Sequence, residues 1–262
     1  MIGFPINHPP ISLEIRLEEI GRLHIHEKTL EKPLRRLVET IKSDGCVMDP
    51  VIVDRKTLVV LDGVHRVIAL RRLGCRFIPV CLLDYDNPHV LVDCWYRTVN
   101  PKSGLGKIRR AIEGLGFTLK NSRMEVARSL VKKREVIAAL SSRSRCYLVN
   151  GVRDSIKEVY DAIGEIELKL EAEGYSIGYE TESDAESKVA SGEVFAMLMV
   201  PTVSKEEVVE VASKGQVFIS KTTRHTIPVR LFVLNVPLEW LCSKSSPEKI
   251  NKKFVKYLST AL

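Results

Sequence analysis

The chain has 262 residues, 45% of them hydrophobic and 28% charged, enough apolar material for a core and too much for a disordered chain. Mean hydropathy is close to zero and no apolar run is long enough to span a bilayer, so a membrane-spanning helix is excluded. Forty basic against 33 acidic side chains leave a net charge of +7. That excess suits a polyanion such as a nucleotide, but no block of consecutive basic residues marks a nucleic-acid arm.

Residues 1–10 show no basic stretch followed by an apolar one, so no secretory signal is read and a cytoplasmic location is expected. Residues 11–23 read as a mostly extended lead-in. Leu34, Leu37, Val38 and Ile41 then share one helical face, Pro33 suits the first turn, and Gly45 ends the helix. Residues 50–54 and 57–61 are β-rich runs around Arg55-Lys56, a hairpin pattern. A helix is expected over 64–73 with Gly74 at its end, and a strand over 77–83.

The second half repeats itself. Gly116-Phe117, a helix over 124–133 and an apolar run over 135–140 are echoed 58 residues later by Gly174-Tyr175, a helix over 184–191 and a run over 193–198. A long helix over 154–173 separates the copies. Ser204 and Glu207 have capping-box spacing, a strand is expected over 217–219, and residues 245–262 read as a basic amphipathic helix docked on the body. The expected fold is α+β, with an N-terminal unit over 1–97 and a second α/β unit with an internal duplication over 98–262. Six cysteines without a C-x-x-C pair indicate neither a zinc site nor a disulfide framework.

Four groups of residues have chemical potential. In Leu61-Asp62-Gly63-Val64-His65-Arg66 a strand ends, glycine turns the chain and a helix begins. Its free N–H groups and dipole favour an anion, and glycine permits close backbone approach. His and Arg are electrostatically misplaced at a helix N-terminus, which points to an anionic ligand that compensates. Lys221-Thr222-Thr223-Arg224-His225 lines up five donor-bearing side chains after an apolar run, a cradle for oxyanion or carboxylate as much as a polar surface turn. His26-Glu27 places a carboxylate at a loop–helix junction, where it can serve as a general base or be an exposed polar loop. Trp95-Tyr96 can wall a small pocket or belong to the core. Gly104-Leu105-Gly106-Lys107 only imitates a phosphate loop: the Ser/Thr after Lys and the leading Gly are missing, and no clear strand is read ahead of it.

The order of these pieces resembles the archaeal free L-serine kinases, the ADP-dependent SerK family, whose N-terminal domain is ParB/sulfiredoxin-like. The resemblance runs over roughly residues 15–235. It is carried by His26-Glu27, Gly45 to Pro50, Asp62-Gly63-Val64-His65-Arg66, Trp95-Tyr96 and, most specifically, residues 216–225 with Pro228 behind them. It implies transfer of a phosphoryl group from ADP (or ATP) to the hydroxyl of L-serine, giving O-phosphoserine and AMP for cysteine synthesis. It implies Glu27 as catalytic base with His65 assisting. Asp62, Gly63, Val64, His65, Arg66 and Lys221 would lie around the nucleotide phosphates, and Trp95, Thr222, Thr223, Arg224 and His225 around serine, with the division of Thr222, Thr223, Arg224 and His225 between serine and phosphate left open. Mg²⁺ would ride on the phosphates without a protein-built metal site. Partners would be small molecules only, with no nucleic acid and no membrane, and the chain a monomer or weak oligomer. Val64 stands where the family commonly has a second His, and Asp49 where it can carry Lys.

Two other readings are a ParB-like nucleotide-dependent DNA-binding switch and a non-catalytic nucleotide sensor. The first needs a helix-turn-helix module, which the duplicated region does not supply. The second has no need of Glu27. A sulfiredoxin-like reductase needs a cysteine in the phosphate turn, and residues 63–66 contain none.

Overall fold

The computed structural model describes residues 3–8, 11–100, 104–228 and 233–261, so part of the 1–10 stretch read for a signal lies outside the described residues. The chain divides into two compact units, and they are not consecutive. The first comprises Met1–Leu91, Val208–Ser220 and His225–Leu262; the second comprises Val92–Glu207 and Lys221–Arg224. This differs from a division at 97/98, because most of the C-terminal fifth returns to the first unit and the 221–225 block is split between the two. Among the described residues no helix is long and apolar enough to cross a membrane.

The first unit begins with β1 (Phe4–His8) and β2 (Ile11–Glu19), followed by α1 (Glu31–Asp44), β3 (Cys46–Val47), β4 (Val51–Asp54), β5 (Val60–Asp62), α2 (Val64–Arg72) and β6 (Phe77–Leu83). Its five-stranded sheet has the order β1-β2-β6-β4-β5. β6 lies between β2, antiparallel, and β4, parallel. All seven residues of β6 are buried, which is why its sequence shows no polar alternation. The apolar face of α1 buries Leu34 and Ile41, and Gly45 closes the helix at φ +64°, a conformation an L side chain rarely takes. The expected hairpin is present, with β4 and β5 antiparallel across the turn at Arg55-Lys56.

β7 (Leu91–Cys94) leads into the second unit, which contains β8 (Tyr96–Asn100), α3 (Leu105–Glu113), β9 (Thr118–Ser122), α4 (Met124–Lys132), β10 (Ala138–Ser142), β11 (Cys146–Asn150), α5 (Ile156–Ala172), β12 (Ser176–Glu180), α6 (Glu182–Ser191) and β13 (Ala196–Met199). The duplication is larger than its sequence echo. β8-α3-β9-α4-β10 and β11-α5-β12-α6-β13 are two copies of one five-element unit. The sheet order β12-β8-β13-β10-β11-β9 reads the same when the copies are exchanged, so a pseudo-two-fold axis runs between β13 and β10. Every neighbouring pair is antiparallel. The expected strands over 135–140 and 193–198 start three residues late, at Ala138 and Ala196, because a turn comes first; at Arg134 it passes through φ +61°. A strand, β8, does precede Gly104, against the sequence reading.

α7 (Lys205–Ser213) opens with a reciprocal capping box: Glu207 N–H donates to Ser204 Oγ at 3.3 Å, and Ser204 N–H to Glu207 Oε2 at 2.8 Å. β14 (Thr223–Thr226), β15 (Val236–Pro237), α8 (Leu238–Leu241) and α9 (Pro247–Ala261) complete the chain. As the amphipathic pattern predicts, α9 docks, on β2. There buried Asn251 accepts from Leu17 N–H at 2.9 Å and donates to its carbonyl at 3.0 Å. The cysteine expectation needs correction. Cys75, just after α2, and Cys242, just after α8, form a disulfide across 167 residues. Spacing rules detect only local pairs, so nothing in the sequence pattern exposed it.

Candidate active site

The first unit holds Glu27 by its backbone from two sides. His24 N–H donates to Leu58 O at 3.0 Å and Val60 N–H to His24 O at 2.9 Å. On the other side Phe218 N–H donates to His26 O at 2.8 Å and Lys28 N–H to Phe218 O at 2.9 Å. The strand expected over 217–219 is therefore one isolated bridge, Phe218 to Glu27. Its partner is a single residue of a loop, so no ladder can extend. The bridge anchors the backbone around the carboxylate.

Three histidines gather on this loop. His26 is 2% exposed and its Nδ1 lies 2.8 Å from Val60 O, so a neutral ring carries its proton on that nitrogen. Its Nε2 is 3.8 Å from Glu27 Oε1. The ring of His225 meets that of His26 edge-on, with centroids 5.5 Å apart, and His225 Nε2 is 2.7 Å from the buried Tyr85 hydroxyl. His65 Nε2 accepts the Leu30 N–H at 3.2 Å. Residues 65 and 225 thus both adjoin the short stretch 26–30. Tyr85 was missed. It follows β6 in an Asp-Tyr-Asp turn whose composition suggests only a loop, and its N–H is held by Asp54 Oδ1 at 3.1 Å.

Burial pushes the His26 pKa below its ordinary value, against the pull of the Glu27 charge and the Val60 hydrogen bond. Below about pH 6.5 the unfolded chain takes up a proton at His26 that the folded chain refuses, so stability falls as pH falls through that window. His26→Gln is expected to flatten the loss of melting temperature between about pH 7 and 5. A slope equal to that of the parent protein in thermal unfolding at several pH values contradicts this.

The 62–66 turn does what its glycine promised. Gly63 sits at φ +97° as the N-cap of α2, and a Cβ there would lie 2.6 Å from Val51 Cγ1. Arg66, expected to point at phosphate, is a brace. It donates to Asp49 O at 3.0 Å and Pro50 O at 2.5 Å, and pairs with Asp62 at 2.8 Å. Asp62 is thereby the anchor of Arg66, and Asp49 offers its backbone carbonyl to the brace.

In the second unit Trp95 organises Lys221–Arg224. Its Nε1 donates to Thr223 O at 3.1 Å; Lys221 Nζ lies 5.3 Å and Arg224 Cζ 5.9 Å from its ring, within cation–π range. Thr222 and Thr223 are buried, and Lys221 takes a left-handed φ of +62°. Arg224 lies 3.6 Å from Asp93, a residue sequence reasoning did not single out. Among the described residues no three His, Cys, Asp or Glu side chains gather into a metal cage.

No family model matches the chain. An ATP-dependent L-serine kinase of Staphylothermus marinus is 28% identical over 246 residues, covering 90% of this chain and 93% of that protein. The ADP-dependent L-serine kinase SerK of Thermococcus kodakarensis is 27% identical, covering 85% and 91%. The solved structure of a free serine kinase variant in complex with AMP superposes with a TM-score of 0.75 at 25% identity, covering 87% of this chain and 93% of that one. A near-full-length match in sequence and in fold puts the chain in the class of small-molecule phosphotransferases. Over nearly its whole length it is similar to the free L-serine kinases.

Proposed function

We propose that this chain transfers the terminal phosphoryl group of ADP or ATP to the side-chain hydroxyl of free L-serine. With ADP the products are O-phospho-L-serine and AMP, and the phosphoserine would feed cysteine synthesis. The observation that carries the reading is the backbone clamp around Glu27, whose carboxylate lies beside His26 and is 15% exposed. A serine hydroxyl is a weak nucleophile. As its oxygen bonds to the terminal phosphorus and the bond from phosphorus to the bridging oxygen breaks, its proton passes to Glu27, and the shortened nucleotide leaves. A positioned base of this kind contributes about 10²–10⁴-fold.

The transferring group is metaphosphate-like, so the rest of the catalysis is positioning and charge neutralisation. The N-terminus of α2 at Gly63, with Val64 and His65, offers backbone N–H groups and a favourable dipole to the phosphates, on a turn that Asp62 and Arg66 hold in shape. Lys221 adds charge; Thr222, Thr223, Arg224 and His225, with Trp95, are assigned to serine. Among the described residues no cluster of His, Cys, Asp or Glu would hold a metal by itself, so Mg²⁺ would arrive with the nucleotide and would supply neutralisation of phosphate charge.

The test is incubation of the protein with Mg²⁺, L-serine and either ADP or ATP, followed by ³¹P NMR for phosphoserine and chromatography for AMP or ADP. Phosphoserine is expected with at least one donor, and the accompanying nucleotide identifies which. No phosphoserine with either donor overturns the reading.

A further inference from the structure

Arg97 of β8 is fully buried, which is costly for a guanidinium. It stands opposite Tyr179 of β12 and Leu198 of β13. Its Nε donates to Glu167 Oε1 of α5 at 2.5 Å, and the other oxygen of Glu167 accepts from the Tyr179 hydroxyl at 3.0 Å. The rings of Tyr160 and Tyr179 each lie 5.5 Å from the guanidinium carbon. A buried ion pair of this kind contributes little to stability, because desolvation offsets the attraction; a well-packed apolar pair of similar volume often serves as well or better. Its presence therefore calls for another reason.

The other bond made by Arg97 supplies one. Its Nη1 donates at 2.5 Å to the carbonyl of Trp95, outside the pair. The indole of Trp95 in turn holds Thr223 O and faces Lys221 and Arg224. A continuous chain thus runs Glu167, Arg97, Trp95, Thr223, entirely within the second unit. We propose that the Arg97–Glu167 pair is a positioning device. It fixes the backbone at Trp95, so that the indole holds Lys221–Arg224 in the shape that receives serine. The serine part of this inference rests on the proposed function; the positioning of Trp95 does not.

The chain has two tryptophans, so Trp240→Phe leaves Trp95 as the sole indole reporter. In that background the double replacement Arg97→Met with Glu167→Leu removes both charges while keeping bulk. Its melting temperature is expected to stay close to the parent value or rise. Its Trp95 emission should shift to the red with increased acrylamide quenching, and KM for serine should rise about tenfold, with KM for the nucleotide little changed. Arg97→Lys, which keeps the charge but not the planar fork, should not restore Trp95 emission. A folded double variant with parental emission and quenching overturns the proposal. So does a displaced Trp95 with parental serine KM. If the double variant fails to fold, Tyr179→Phe removes only the hydroxyl that steadies Glu167, and the same emission shift, smaller, is required of it. Should the parent protein prove to have no serine kinase activity, the proposed function fails while the emission change still decides whether Arg97 positions Trp95.

Discussion

Glu27→Gln is expected to lower kcat by about 10²–10⁴-fold while the protein still binds nucleotide. Gln has nearly the same size and can form the same backbone bridge to Phe218, so the loop from His24 to Lys28 keeps its shape. What is lost is the proton acceptor. Because serine attacks the phosphorus through a neutral hydroxyl, the loss falls on the chemical step, and kcat and kcat/KM fall together. Steady-state phosphoserine formation and equilibrium titration with AMP measure the two halves of the claim. A variant with unchanged kcat excludes Glu27 as the base. Parental AMP affinity in a variant without turnover separates an enzyme from a nucleotide sensor, which has no use for the carboxylate.

The second large effect is expected at two arginines that the sequence places at the ligands and the structure uses in different ways. Arg66→Ala removes two hydrogen bonds to the Asp49 and Pro50 carbonyls and the ion pair to Asp62. These bonds come from a charged donor, so the fold should lose about 2 kcal/mol, and nucleotide affinity should fall with the shape of the 62–66 turn. Arg66→Lys should not restore either, since a single ammonium cannot span two carbonyls and a carboxylate with a planar fork. Arg224→Ala should behave differently. The Arg224 guanidinium is 3.6 Å from Asp93 and lies over Trp95, and its Nε is buried without a hydrogen-bond partner among the described residues. A donor placed like that serves a ligand better than the fold. Its loss should raise serine KM by about tenfold or more and leave thermal stability close to the parent value. Thermal unfolding together with separate nucleotide and serine titrations distinguishes the two. Unchanged affinities in both variants remove the assigned roles of the two arginines.

Much of the local structure was legible from residues a few positions apart. The helical spacing of Leu34 and Ile41, the left-handed Gly45, the Ser204–Glu207 cap and the unbroken apolar run of β6 each act within one or two turns or one strand. The 58-residue echo was visible because duplicated units keep their apolar rhythm. Its full extent was not, because the five-element copies differ in helix length: α3 runs over nine residues and α5 over 17. Residues 217–219 looked like a strand because a short apolar β-rich run reports only that a segment is extended and buried; whether a ladder forms depends on the neighbour it meets, here a single loop residue.

By itself the sequence determined the α+β class and the glycine turn at 63, because short-range sterics and residue type decide those, and through its resemblance to a known family it pointed to the carboxylate and histidines to which the chemistry is assigned in our proposal. Only the tertiary structure decided that Arg66 braces Asp49 and Pro50, that Tyr85 meets His225, that Cys75 meets Cys242 and that Arg97 reaches from Glu167 to Trp95. Most of these partners are distant along the chain. Which distant groups meet is set by how the whole chain closes on itself, and no pattern of neighbouring residues encodes that.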